Sequence, residues 1–181
     1  MNLPNALTVI RILLIPLFLY EVLQGRFTFA AAVYLAAAFT DALDGAIARV
    51  FHMQTPLGAF LDPVADKMLA TTSYLSLAFL HIIPLWLSIV VISRDIIIVA
   101  GAVGVYYLKD SLEIKPHLVS KITTFFQITT ILLALVLNSS LPAARWSVVV
   151  RSFDSIALVT GAITVLSGAI YIFAGFRSIE E

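Results

Sequence analysis

Residues 122–144, ITTFFQITTILLALVLNSSLPAA, contain no charged side chain over 23 positions. Residues 155–176, SIALVTGAITVLSGAIYIFAGF, form a second charge-free stretch of 22 positions. Each exceeds the about 20 apolar residues that a helix needs to cross the hydrocarbon core of a bilayer. These stretches predict membrane-spanning helices and an all-α integral membrane protein.

A third charge-free run, residues 68–93, is interrupted by His81 and Pro84. Because proline disrupts a helix interior, we expect one helix to end near Leu80 and the next to begin near Leu85. The run therefore predicts two helices joined by a tight turn.

The composition agrees with a membrane protein. Of 181 residues, 61% are hydrophobic and 12% are charged, about half the charged fraction of a typical soluble domain. Eleven Lys and Arg balance eleven Asp and Glu, which excludes a strongly basic nucleic-acid binder, and the absence of Cys excludes a disulfide scaffold. No basic residue precedes Arg11, so we do not expect a cleavable signal peptide.

Six membrane-spanning helices in one domain, residues 1–181, follow from the apolar segments and their short connections. They are predicted at about 6–24, 29–49, 58–80, 85–108, from Leu118 onward and at 155–176. In an alternative for the first helix, an interfacial element comes first and Pro16 marks a bend. Seven basic residues lie on the side of the termini and three on the other. Since cytoplasmic loops are enriched in Lys and Arg, both termini and the active site are predicted to face the cytoplasm from the inner or cell membrane.

Acidic and small residues recur at offsets of three, four and seven on the second helix and of four on the third. The set, with one Arg, is Asp41, Asp44, Gly45, Ala48, Arg49, Gly58, Asp62 and Asp66. Such offsets place side chains on one helix face, and the short connection makes the two helices antiparallel neighbours. At about 1.5 Å per residue, the four carboxylates lie roughly 6–12 Å from the same membrane surface.

Four carboxylates in one apolar pocket repel each other and need compensating cations. Oxygen-only ligands suit Mg²⁺, Mn²⁺ or Ca²⁺, and two such ions would balance the charge and could hold a diphosphate. The small residues leave room for a ligand, and Arg49 is placed to meet a phosphate oxygen. The structural alternative is that small residues serve helix packing and that an Asp pairs with Arg11 or Arg94. Four carboxylates at these offsets are hard to explain by packing.

The sequence resembles the CDP-alcohol phosphatidyltransferase family. The family signature is D-x2-D-G-x2-A-R, a spacer, and G-x3-D-x3-D, and the set above meets every position, with residues 50–57 as spacer. The resemblance implies that the phosphatidyl group of CDP-diacylglycerol passes to an acceptor hydroxyl while CMP leaves. It assigns two divalent metal ions to Asp41, Asp44, Asp62 and Asp66, with Asp66 also the general base. It assigns CDP to Gly45, Ala48, Arg49 and Gly58, and implies a homodimer.

Basic residues inside or beside the spans are candidates for an acceptor site. We expect Arg11, Lys67, Arg94 and Lys121 to bind the phosphate of glycerol-3-phosphate or of phosphatidylglycerol, because an unpaired cation within a membrane is costly. The structural alternatives are a local pair between Arg94 and Asp95 and a Lys121 side chain that extends to the interface.

The sequence leaves two acceptors and more than one class of protein open. Residues 2–11 resemble the start of phosphatidylglycerophosphate synthases and of the related cardiolipin synthases. Residues 92–95 and 119–127 resemble cardiolipin synthases at least as closely, and glycerol-3-phosphate leads narrowly. An ion transporter using the acidic site is a different class, disfavoured because no inverted repeat is evident, and a structural membrane subunit is a third. Glycines at positions 161, 168 and 175 either form a dimer interface or pack within the monomer.

Overall fold

The computed structural model describes the backbone of residues 3–50, 56–109, 118–140 and 147–180, and the side chains of residues 8–40, 64–101, 119–140 and 152–173. These parts of the chain are helical apart from short turns. The six helices within them are α1 (Leu3–Leu23), α2 (Phe27–Val50), α3 (Pro56–Phe79), α4 (Leu85–Lys109), α5 (Leu118–Leu137) and α6 (Ser147–Glu180). The prediction of an all-α chain is confirmed for the described residues, and the number of helices agrees with the number of predicted spans.

Two connections are closed by the same backbone motif. Gly25 after α1 and His81 after α3 have positive φ angles of 70° and 57°. After α3, the amide of His81 donates to the carbonyl of Ala78 (3.0 Å) and that of Ile82 to the carbonyl of Leu77 (2.9 Å). This Schellman motif satisfies the last carbonyls of the helix. The predicted break between the third and fourth helices is therefore confirmed.

Helices α1 and α6 are continuous across boundaries that the sequence suggested. α1 runs through Pro16 as one helix, so the separate interfacial element is not seen. Membrane helices tolerate proline because other groups satisfy the freed backbone. α6 begins at Ser147 rather than near residue 155. The charges of Arg151 and Asp154 end a charge-free run without ending a helix.

Helix α5 is shorter than its charge-free run. It ends at Leu137, although the run continues to residue 144. The amide of the Asn138 side chain donates to the carbonyl of Ala134 at 2.8 Å, and so takes up a carbonyl of the last turn. A polar side chain thus ends the helix where charge alone gives no signal.

Polar side chains lie inside the bundle and large apolar ones cover its outside. The buried residues include Arg11 and Arg94, which are 0% and 3% exposed. Apolar side chains exposed on the six helices include Leu13, Phe39, Phe79, Ile96, Phe125 and Phe173. This arrangement suits lipid rather than water as the surrounding solvent. Among the described residues, Val119–Leu137 and Ser152–Phe173 are long and apolar enough to cross a membrane.

Two glycines of α6, Gly161 and Gly168, face α4, against which α6 packs. A Cβ atom added to Gly161 would lie 2.5 Å from Cζ3 of Trp86, and one added to Gly168 would lie 3.6 Å from Cγ of Arg94. These two positions therefore serve packing within the monomer, which was one of the two predicted uses. Position 175 lies outside the described side chains.

Candidate active site

A cavity of about 60 Å³ lies between α1, α2, α3, α4 and α5. Its charged lining residues are Arg11, Asp66, Lys67 and Asp95. Its uncharged polar lining residues are Tyr34, Tyr74, Thr124 and Gln127. The remaining wall is formed by Ala, Leu and Ile side chains. Because this volume holds several water-sized groups, the cavity suits a small polar ligand or the polar end of a larger one.

Helical periodicity explains why these residues meet. On α5 the lining residues Thr124, Gln127, Ile128 and Ile131 are offset by three, four and seven, so they form one stripe. On α2 the lining stripe begins at Tyr34 and continues at offsets of three and four.

Asp95 joins α3 and α4 through one carboxylate oxygen. Its Oδ1 lies 2.7 Å from Nζ of Lys67 and 2.9 Å from Nη1 of Arg94. The side chains of Asp95 and Arg94 are 8% and 4% exposed, whereas that of Lys67 is 33% exposed. Two cations thus share one buried anion, and the more exposed cation lines the cavity.

The guanidinium of Arg94, which pairs with Asp95, also contacts α5 and α6. Its Nη2 donates to Oγ of Ser120 at 2.7 Å and to Oγ of Ser167 at 3.1 Å. Its Cζ lies 5.9 Å from the ring centroid of Tyr171, within range of a cation–π interaction. Arg94 is not among the residues that line the described cavity. The predicted local pair with Asp95 is therefore present, and it is part of a network across four helices.

Comparison with known proteins identifies the family. The sequence profile described as CDP-alcohol phosphatidyltransferase matches residues 1–172. The chain belongs to the CDP-alcohol phosphatidyltransferase family. The family resemblance inferred from the signature is thereby confirmed.

Relatives in this family carry two kinds of name. The chain is 34% identical over 151 residues to a probable CMP-forming cardiolipin synthase of Drosophila melanogaster, covering 75% of this chain and 47% of that protein. It is 43% identical over 106 residues to a CDP-diacylglycerol–glycerol-3-phosphate 3-phosphatidyltransferase of Pseudomonas fluorescens, covering 55% and 54%. It is 35% identical over 141 residues to a protein of the same name from Aquifex aeolicus strain VF5, covering 76% and 78%. The chain spans about half the length of the animal cardiolipin synthases that it matches, 47–48%.

All eight residues of the family signature lie on α2 and in the first half of α3. The backbone there is helical, as their spacing predicts. The side chains outside the described part are those of Asp41, Asp44, Gly45, Ala48, Arg49, Gly58 and Asp62. Within the described part there is no group of three or more acidic, His or Cys side chains. The metal and CDP sites therefore stay predictions.

The described site residues divide into two groups. Asp66, Arg11 and Lys67 line the same cavity, so one signature acid and two of the predicted acceptor-binding cations meet there. Lys121 is exposed on α5 and is not among the lining residues. A Lys121 side chain at the surface agrees with the structural alternative for that residue.

The uncharged polar residues of the cavity were not predicted from the sequence. Tyr34, Tyr74 and Gln127 are 3%, 0% and 5% exposed, and each lines it. A signal was available, because each interrupts an apolar helix stripe with a hydrogen-bonding group, and such groups inside a membrane protein need a partner. Charge spacing alone did not reveal them.

Proposed function

We propose that this protein transfers the phosphatidyl group of CDP-diacylglycerol to a hydroxyl of a glycerol-type acceptor and releases CMP. The acceptor oxygen forms a bond to the β-phosphorus, and the bond from that phosphorus to the CMP oxygen breaks. The acceptor hydroxyl loses its proton to the Asp66 carboxylate. Glycerol-3-phosphate is the leading acceptor, and the product is then phosphatidylglycerophosphate.

One observation carries the proposal: the last acid of a complete family signature lines a cavity that also contains two cations. Asp66 is half-buried there, beside Arg11 and Lys67. Phosphoryl transfer depends on positioning and on neutralisation of charge more than on covalent help from the protein. The two cations can position a phosphate and neutralise its charge, and the adjacent Asp66 carboxylate can accept the proton of the attacking hydroxyl.

The residues of the signature fit two divalent cations. All four predicted ligands are carboxylates, and the described cavity lining contains oxygen and nitrogen groups but no thiol or imidazole. Hard oxygen ligands favour Mg²⁺ or Mn²⁺, with Ca²⁺ also compatible. Bound there by Asp41, Asp44, Asp62 and Asp66, such ions would neutralise the diphosphate of the donor. We assign CDP to Gly45, Ala48, Arg49 and Gly58 of the same signature.

Arg11 and Lys67 are proposed to attract the phosphate of the acceptor. Arg94 contributes to this attraction indirectly. Its guanidinium pairs with the Asp95 carboxylate that also binds Lys67, so that carboxylate cancels less of the charge of Lys67. Lys121 is kept as a more distant member of the acceptor site. Six spans, cytoplasmic termini and active site, and a homodimer complete the proposal. The apolar exterior and the α6 and α5 spans support its membrane part.

The test is lipid-product analysis with purified protein in lipid nanodiscs containing CDP-diacylglycerol and Mg²⁺ or Mn²⁺. Glycerol-3-phosphate and phosphatidylglycerol are offered separately, and CMP release is measured. We expect Asp66→Asn to lower turnover by about 10²–10⁴-fold, the usual contribution of a general base, while CDP-diacylglycerol still binds. The matched control is Asp154→Asn, because Asp154 is exposed on α6. Turnover of Asp66→Asn at the wild-type rate would refute the role of the base.

Phosphatidylglycerol is the second candidate acceptor, which would make the protein a cardiolipin synthase. It is favoured by the relatives named cardiolipin synthase, one of which aligns with 75% of this chain. CMP release with phosphatidylglycerol and not with glycerol-3-phosphate would select it. An ion transporter would release no CMP with either acceptor.

A further inference from the structure

The hydroxyl of Tyr34 has no hydrogen-bond partner among the described residues, although the side chain is only 3% exposed. Buried tyrosine hydroxyls usually have one. The hydroxyl oxygen is not one of the described polar atoms that are both inaccessible and unpartnered. It is therefore accessible from the cavity that Tyr34 lines. By contrast, the hydroxyl of Tyr74 in the same cavity donates to the backbone carbonyl of Gln127 at 3.1 Å.

Gln127 offers an acceptor to the same cavity. Its Nε2 lies 3.3 Å from Oγ1 of Thr164, and that hydroxyl donates its own proton to the carbonyl of Thr160 at 2.7 Å. Thr164 therefore accepts from Gln127, which fixes the orientation of the amide. The acceptor atom of the amide is then Oε1, which does not contact Thr164. Gln127 is 5% exposed and lines the cavity, and no described donor contacts its Oε1. This oxygen is not one of the inaccessible, unpartnered polar atoms of the described part, so it is open to the cavity.

We propose that Tyr34 and Gln127 bind a hydroxyl group of the acceptor that does not react. A hydroxyl oxygen accepts one hydrogen bond and donates another, so it matches the donor of Tyr34 together with the acceptor of Gln127. Asp66 lines the same cavity as Tyr34. The cavity therefore combines groups for a reacting hydroxyl, a phosphate and a second hydroxyl. The secondary hydroxyl of a glycerol moiety completes this set.

This inference rests on the proposed function and extends it to acceptor selectivity. Glycerol-3-phosphate and the head group of phosphatidylglycerol both carry a secondary hydroxyl, so the pair recognises a feature that the two acceptors share. The acyl chains of the donor do not fit this environment, because they would leave a buried hydroxyl and a buried amide oxygen without partners.

The experiment compares acceptors that differ by this hydroxyl. Wild-type protein in nanodiscs receives CDP-diacylglycerol with glycerol-3-phosphate or its 2-deoxy analogue, 3-hydroxypropyl phosphate. A second arm uses phosphatidylglycerol or phosphatidyl-1,3-propanediol, which lacks only the secondary hydroxyl of the head group. We expect the wild type to favour the hydroxylated acceptor by about tenfold or more in kcat/KM, since a site built to bind a hydroxyl disfavours the analogue that lacks it.

Tyr34→Phe and Gln127→Met are expected to bring this preference close to one. Tyr74→Phe is the matched control, because the hydroxyl that it removes is already bound within the protein, and its preference should stay at the wild-type value. The preference is a ratio measured on one preparation, so a lower folded fraction cancels. The arm in which the wild type shows turnover identifies which of the two acceptors the enzyme uses.

Two results overturn the inference alone. The first is a Tyr34→Phe variant that keeps the acceptor preference of the wild type, which would mean that Tyr34 contacts only water. The second is a Tyr34→Phe variant that raises KM for CDP-diacylglycerol and leaves acceptor preference intact. Absence of CMP release by the wild type with either acceptor overturns the proposed function, and this inference with it.

Discussion

Asp95→Asn is expected to destabilise the bundle far more than Lys67→Met, although the two residues form one ion pair. Asp95 is the counter-ion of Arg94, whose side chain is 4% exposed. Removing a partner from a buried pair leaves an uncompensated charge and costs about 3–5 kcal/mol. Lys67 is 33% exposed, and its removal leaves Asp95 paired with Arg94, so we expect a cost of about 0–1 kcal/mol.

Thermal unfolding in detergent, followed by tryptophan fluorescence, measures the difference. For a chain of this length, 1 kcal/mol corresponds to about 2–4 °C in Tm, so Asp95→Asn should lower Tm by roughly 6–20 °C and Lys67→Met by at most about 4 °C. Adding Arg94→Met to Asp95→Asn removes the buried charge, so the double variant should be more stable than Asp95→Asn alone. A loss for Lys67→Met as large as that for Asp95→Asn would refute the argument, because it would make Lys67 the main counter-ion.

Two further predictions concern helix packing, and the same unfolding measurement tests both. Gly161→Ala should lower stability by about 1–3 kcal/mol, because its Cβ would lie 2.5 Å from the Trp86 ring, whereas the matched Gly168→Ala should be neutral or stabilising by up to about 1 kcal/mol. Equal effects of the two would show that α6 and α4 do not pack in this register. Thr130→Val removes a hydroxyl that lies 2.8 Å from a threonine of α6 and should cost about 0.6 kcal/mol, at most about 1.7. A much larger loss would mean that this hydrogen bond contributes more than interhelical bonds in membranes usually do.

The helices could be predicted from the sequence because charge and hydropathy are local properties. The break before α4 followed from His81 and Pro84, and the structure has its turn there. The ends of α5 and α6 could not be predicted in the same way. Asn138 caps α5 inside a charge-free run, and the charges near the start of α6 lie within the helix. Capping and length depend on individual side-chain hydrogen bonds.

The site could be predicted only where its residues lie close in sequence. The spacing of the signature on α2 and α3 was enough to single out Asp66, and Asp66 does line a cavity. The partner of Lys67 is 28 residues away, and Tyr34 and Gln127 lie on different helices. Which helices are neighbours is not contained in their periodicity, so neither contact follows from spacing.

Stability and the proposed acceptor binding are expected to be coupled at Asp95 but separable at Tyr34. Between membrane helices there is no hydrophobic driving force like that in water, so buried polar contacts and close packing hold the bundle together. Asp95 provides such a contact for α3 and α4, while Arg94 extends it to α5 and α6. The same carboxylate contacts Lys67, a cation of the cavity, so we expect a change there to alter folding and the proposed acceptor binding together. Tyr34 makes no described hydrogen bond within the protein, and a loss of acceptor preference in Tyr34→Phe therefore reports on binding itself.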